Sequence, residues 1–431
     1  MNSSITTAYL SRYRSVAGDC ADLLPVTGAQ RRFLLARRLD PLGRPDVVPL
    51  FFAFPAGTVD LSRLRAAATR LAARHPALRG RFASLRGTPV LRTGPPAAEV
   101  RRVEPAPGES AADALRRELL GWSPDGPALR LLLAGGPGHE EEVLAVALDH
   151  AACDEQSLGI VTAGLSAGYA TDPGPQDGAP DAAAAATAEY RATVEAQLTA
   201  EAAASADRAR AHWAARLGAL RASARPAYRA EPDTGMLTHR LPPAPAAARG
   251  AVFPALLDAV SAAARSLLGP AATPALGYPW GGRPAAAPPV LGCFLNTLVH
   301  PAGSGAAGLD RLSADWWDDL DHADMPFDEV VHAARSAGAQ WSGALDGLLT
   351  FEDLHRRPPL VLGEVSGRET HLSGRPLAAP FAVSASHGQD LLVRLAWDRR
   401  HWPDPAAAEA FDALLSTLRR HLGATAPGPA V

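Results

Sequence analysis

The sequence predicts a mixed α/β protein built in two parts. Three observations point there. Strand-like and helix-like patterns interleave throughout the 431 residues. A Pro/Gly/Asp cluster running into alanines, Thr171–Thr187, interrupts them once. The stretches on either side, 1–175 and 176–431, each fall within the usual size range of a domain.

In chain order, Val48–Phe54 (VPLFFAF) is a short, aromatic-rich apolar run and predicts a strand. Asp60 is placed to cap a helix whose Leu61, Leu64, Ala68 and Leu71 share a face, and Pro76 ends it. Leu129–Leu133 and Val143–Leu148 predict two more strands. The second lacks polar alternation, as a strand buried on both faces does. A helix is expected over 157–169. Beyond the cluster, one long helix is expected over 189–220, with Trp213 and Leu217 on one stripe, and a second over 253–268, stopped at Gly269. Strands are expected near 273–278, 292–299, 348–351 and 391–397, and a last helix over 405–422.

Composition excludes several chemistries. All 42 basic residues are arginine. Without lysine there is no Walker-A contact to a nucleotide phosphate and no Schiff base to pyridoxal phosphate. With 45 acidic residues the net charge is −3, which gives no general affinity for nucleic acid or an anionic membrane. The three cysteines, Cys20, Cys153 and Cys293, are too far apart in sequence to suggest a zinc or disulfide framework. The N-terminus has no signal-peptide pattern and no apolar run reaches 18 residues, so a cytoplasmic protein without a transmembrane helix is expected.

The segment richest in chemistry is Val143–Ser157. A buried strand ends at Asp149, His150 opens the following loop, and Asp154 comes four residues later. A histidine at the end of a rigid strand can serve as a general base, because imidazole exchanges protons near neutral pH; such a group is worth roughly 10²–10⁴ in rate.

HAACDEQS resembles the HHxxxDGxS signature of the condensation domains of nonribosomal peptide synthetases, within the chloramphenicol-acetyltransferase-like HxxxD acyltransferases. Five more segments resemble the motifs of that family in order. They are TGAQRRFL from Thr27, RHPALRGRF over Arg74–Phe82, GYPWGGRP over Gly277–Pro284, LGCFLNT with Gly292, Phe294, Asn296 and Thr297, and HADMPFDE over His322–Glu329. The resemblance implies two acetyltransferase-like lobes in a V, with an active-site tunnel between them. It implies acyl transfer from a carrier-protein phosphopantetheine thioester to an amine or hydroxyl, giving an amide or ester. No cofactor would be bound. His150 takes the catalytic place. Asp154 is expected to brace the loop by pairing with Arg283, with Ser157 beside it, and Gly292, Phe294 and Asn296 become candidates for contact with substrate along the tunnel.

The sequence departs from the family at Asp149, where the first histidine of the signature stands, and at Glu155, in place of its glycine. Gln156 also differs, and the family's RDxSRNPL is barely recognisable in QWSGALDGLL. These departures support an alternative, a degenerate condensation-like platform that recruits other proteins. Residues before 25 and after 422 are too few for an adenylation or carrier domain. The expectation is therefore a stand-alone monomer served in trans by an acyl or peptidyl carrier protein, with a small or carrier-bound nucleophile and exposed arginines as the docking surface.

Other candidates carry less. GLSAG around Ser166 matches a nucleophile elbow but lies inside an expected helix. The acidic stretch Asp315–Glu329 around His322 lacks compact metal-ligand spacing. Trp316 and Trp317 are expected in packing, as are Cys153 and His75.

Overall fold

The computed structural model describes residues 4–41, 43, 46–135, 140–171, 180–221, 233–243, 250–281, 283, 289–303 and 308–423. Part of the expected linker, residues 172–179, and Gly282 and Pro284 of the GYPWGGRP segment lie outside the described residues.

The chain forms two compact units, and they are interleaved along the sequence. The first comprises Met1–Ala202, Gly281–Leu295 and Arg356–Leu372; the second comprises Ala203–Trp280, Asn296–His355 and Ser373–Val431. Instead of one cut near 175, the chain returns twice to the first unit. The alanine run is helical, in Pro180–Ala204.

In the first unit, a five-stranded sheet has the strand Glu141–Asp149 at its centre. Val47–Pro55 pairs antiparallel on one side, from Val47 opposite Asp149 to Pro55 opposite Glu141, and Leu129–Ala134 pairs antiparallel on the other. Burial from Leu144 to Asp149 is nearly continuous, which explains the run without polar alternation. The helices Leu61–Arg74 and Glu155–Ala170 pack together, and their apolar faces join the core with Leu144, Val146 and Leu148. Asp60 caps the former helix by accepting from the backbone N–H groups of Ser62 and Arg63.

In the second unit, a six-stranded sheet runs in the order Leu295–Pro301, Ala275–Gly281, Gly347–Asp353, Phe381–His387, Leu391–Asp398, Thr234–Leu241. The helices Val252–Leu268 and Asp404–Leu422 pack against each other in its core. Gly269, at φ 92°, ends the first of them.

Two expectations change. The single helix over 189–220 is two, Pro180–Ala204 and Asp207–Leu217, parted at Ala206, whose backbone is extended. Neither glycine nor proline marks that break. The strand expected over 292–299 begins only at Leu295, because the Gly292 and Phe294 N–H groups donate instead to the Ser157 hydroxyl and the Asp154 carboxylate.

Candidate active site

The central strand positions the site. It is held to its last residue, since the Asp149 N–H donates to the Ala128 carbonyl at 2.9 Å and the His150 N–H to the Asp46 carbonyl at 3.0 Å. The Asp149 carboxylate is gripped by both terminal nitrogens of Arg37, at 3.0 and 2.5 Å, and accepts from the Ala151 N–H at 2.8 Å. Arg37 also lies 3.7 Å from Asp46. The residue in the place of the first signature histidine therefore anchors the turn, with its charge matched by Arg37.

The His150 ring stacks on Phe33, with centroids 4.5 Å apart and planes 28° apart. Its Nδ1 lies 3.3 Å from the Cys153 carbonyl oxygen. A carbonyl only accepts, so Nδ1 carries the proton and the lone pair of the neutral ring is on Nε2. The ring is thus held in both orientation and tautomer.

The loop is supported from behind by the TGAQ segment. Thr27 and Gln30 form a capping box at the start of helix Gly28–Leu39. The buried Gln30 Nε2 donates to the Ala151 carbonyl at 2.9 Å and to the Tyr190 hydroxyl at 3.1 Å. The Thr27 hydroxyl donates to the Cys293 carbonyl at 2.8 Å.

Asp154 caps helix Glu155–Ala170 and is only 3% exposed. One carboxylate oxygen accepts from the Ser157 N–H (3.0 Å), the Ser157 hydroxyl (2.8 Å) and Arg283 (2.8 Å). The other accepts from Arg283 (2.7 Å) and the Phe294 N–H (3.0 Å). Arg283 also donates to the Val290 and Gly292 carbonyls and lies over the Phe294 ring, 4.8 Å from its centroid. The Ser157 hydroxyl accepts from the Gly292 N–H at 3.1 Å. A buried carboxylate is tolerated when paired and hydrogen-bonded in this way, and one so committed holds shape rather than moving protons.

Three residues expected along a substrate path belong to bracing. Gly292 and Phe294 are buried in the Asp154–Arg283 network through their backbone groups, and a Cβ on Gly292 would come within 2.5 Å of the Phe294 ring. Asn296, in the second unit, donates to the Ala323 and Met325 carbonyls at 2.8 and 2.7 Å and accepts from the Phe327 N–H at 3.2 Å. Its amide pins the HADMPF loop.

Glu155 is an exposed first residue of its helix. Among the described residues Arg86 alone, apart from glycines, has positive φ, so the backbone at 155 does not require glycine. Gln156 accepts from Arg283 at 3.2 Å, and Gly281 leaves room for it, because a Cβ there would stand 2.5 Å from the Gln156 amide nitrogen.

Ser166 lies mid-helix. Its hydroxyl donates to the Thr162 carbonyl at 2.8 Å and accepts from the Val361 N–H at 2.9 Å, so no nucleophile elbow exists there. Burial pushes the Cys153 and Cys293 thiols well above their ordinary pKa, away from nucleophilic use. His322 packs against His212, with ring centroids 4.5 Å apart; burial, then the charge of His212, lowers its pKa. Trp316 packs against the core, whereas Trp317 is 61% exposed, contrary to its expected place in packing. His75 is pushed down to about 4, mainly by burial.

Sequence reasoning missed Phe33 and Arg37. A signal existed: Thr27 with Gln30 three residues on marks a helix start, and positions 33 and 37 then share a face.

No protein-family model matches the chain. Among curated proteins it is 30% identical to CymA of Salinispora arenicola (strain CNS-205), named as a nonribosomal peptide synthetase, over 39% of this chain and 3% of that protein's length. Solved structures match over almost the whole chain. The first condensation domain of the calcium-dependent antibiotic synthetase, in complex with a substrate analogue, aligns with TM-score 0.69 and 17% identity over 95% of this chain and 98% of that one. The starter condensation domain of rhizomide synthetase gives 0.68 and 14%, over 97% and 99%. The X-domain from teicoplanin biosynthesis gives 0.65 and 18%, over 93% and 95%. The protein has the two-unit, mixed α/β fold of the condensation domains of nonribosomal peptide synthesis.

Proposed function

We propose that the protein is an acyltransferase of the condensation type, with His150 as its base. The acyl donor is a thioester on the phosphopantetheine arm of a carrier protein, and the acceptor is an amine or hydroxyl. The observation that carries this reading is the His150 ring, oriented by Phe33 and fixed by the Cys153 carbonyl as the tautomer with a basic Nε2. The nucleophile attacks the thioester carbonyl and its proton passes to Nε2. The C–S bond then breaks as the C–N or C–O bond persists, and the proton leaves with the thiolate. A thioester is already activated, so alignment and one positioned base suffice, without a metal or lysine. Asp154 and Arg283 act as positioning residues, holding the helix start that closes the His150 loop.

The test is transfer from an acyl-carrier thioester to a panel of amines and alcohols, with His150→Ala compared with the parent. Loss of transfer in a folded His150→Ala protein supports the reading. Transfer that survives unchanged removes His150 from the reaction. If the parent transfers nothing to any acceptor yet binds a partner enzyme, the recruiting-platform reading takes its place. That reading draws on the X-domain likeness, of which one solved structure is a complex with OxyB.

A further inference from the structure

The geometry points to a divalent transition-metal site in the second unit, formed by Asp353, His355 and His387. One ligand atom from each residue lies within 4.8 Å of the other two. The sequence separates His355 from His387 by a whole strand connection, and the fold brings them together. Gly347–Asp353 and Phe381–His387 are adjacent parallel strands in register, so their last residues, Asp353 and His387, are cross-strand partners. His355 follows in the 3₁₀ turn Leu354–Arg356, where its N–H donates to an Asp353 carboxylate oxygen at 3.2 Å. The turn and the loop after His387 approach each other, since a Cβ on Gly388 would stand 3.5 Å from Leu354. The His355 and His387 rings meet edge to face, with centroids 5.9 Å apart.

A second observation distinguishes this group from an ordinary surface cluster. Nε2 of His387 is sealed from solvent and makes no hydrogen bond. A buried ring nitrogen in that state is costly, and a bond to a metal ion would satisfy it. Two imidazoles and one carboxylate select for Zn²⁺, Co²⁺ or Ni²⁺ over Mg²⁺ or Ca²⁺, which prefer all-oxygen shells. Metal–ligand bonds of about 2.0–2.2 Å put neighbouring donors about 3–4 Å apart, which small side-chain rotations reach from here. The ion would clasp the ends of two neighbouring strands, and three protein ligands leave a fourth position for water.

The test is titration of the chelator-treated, full-length protein with Co²⁺, read by its ligand-field absorption, and with Zn²⁺ by calorimetry. The expected result is one equivalent bound. His387→Ala and His355→Ala should weaken it by more than the ~10–100-fold that an outer-shell change costs, and Asp353→Asn should weaken it too. His355 is exposed, so His355→Ala tests the site even if His387→Ala fails to fold. Zn²⁺ should also raise the thermal midpoint of the parent and not of His355→Ala. The site does not depend on the acyl-transfer reading, and His150→Ala should leave the titration unaltered. Absence of binding by the parent, or binding that the His355 and His387 substitutions leave unchanged, overturns the assignment.

Discussion

Asp154 and His150 lie four residues apart; the first holds the loop in shape, and on the proposed function the second moves a proton. The Asp154 carboxylate accepts five hydrogen bonds, two of them from Arg283. Removing one partner leaves the other charge buried and uncompensated, which costs about 3–5 kcal/mol. Asp154→Ala and Arg283→Ala should each lower stability in denaturant titrations by that order. The double variant should cost clearly less than the sum, because the second change removes the stranded charge. His150→Ala, at a half-buried ring, should cost far less stability and far more turnover. Among these residues the Asp154–Arg283 pair was legible in sequence because motif order carried it. The roles of Gly292, Phe294 and Asn296 were not, because they act through backbone groups or an amide whose partners no local pattern reveals.

Helix Glu155–Ala170 is fixed at its start by a cap and along its length by a close helix contact. Its capping box joins Asp154 and Ser157, so Ser157→Ala should destabilise the protein by about 0.5–2 kcal/mol, measured by thermal or denaturant unfolding. Gly168 lets the helix approach Leu61–Arg74 closely: a Cβ there would lie 3.1 Å from the Ala67 backbone. Gly168→Val should overpack that contact and cost about 1–3 kcal/mol. The strand Leu295–Pro301 supplies a pH test. His300 is buried beside Arg216, with Nδ1 3.5 Å from the guanidinium, and its pKa is pushed down to about 4, first by burial and then by that charge. The unfolded chain therefore binds this proton more readily than the folded one. The His300 contribution to stability is complete above the ordinary imidazole pKa of about 6.5 and is lost as pH falls towards 4. His300→Gln should flatten the dependence of the thermal midpoint on pH in that window, and an unchanged slope would contradict the burial of a neutral ring. Element positions were legible where burial left a pattern, as in the central strand. The break at Ala206 was not, because alanine is the strongest helix former and the serine before it only mildly less favourable, so the local sequence reads on as helix.

The whole molecule is two compact units that share the chain in alternating segments. A boundary read from composition finds one polar cluster and cannot find the returns at 281–295 and 356–372, which are defined by long-range pairing. Arg368–Thr370, for example, pairs with Phe51–Ala53 in the first-unit sheet. The return at 281–295 brings Arg283, Val290, Gly292 and Phe294 to Asp154, so the interleaving itself builds the brace on which the His150 loop rests. Among the described residues no helix is long and apolar enough to cross a membrane. On the proposed function, this framework holds His150 for acyl transfer. Single-turnover transfer from an acyl-carrier thioester, parent against His150→Ala, tests it most directly. A loss of roughly 10²–10⁴-fold is expected, with the fold intact by circular dichroism; equal rates in the two proteins would take His150 out of the reaction.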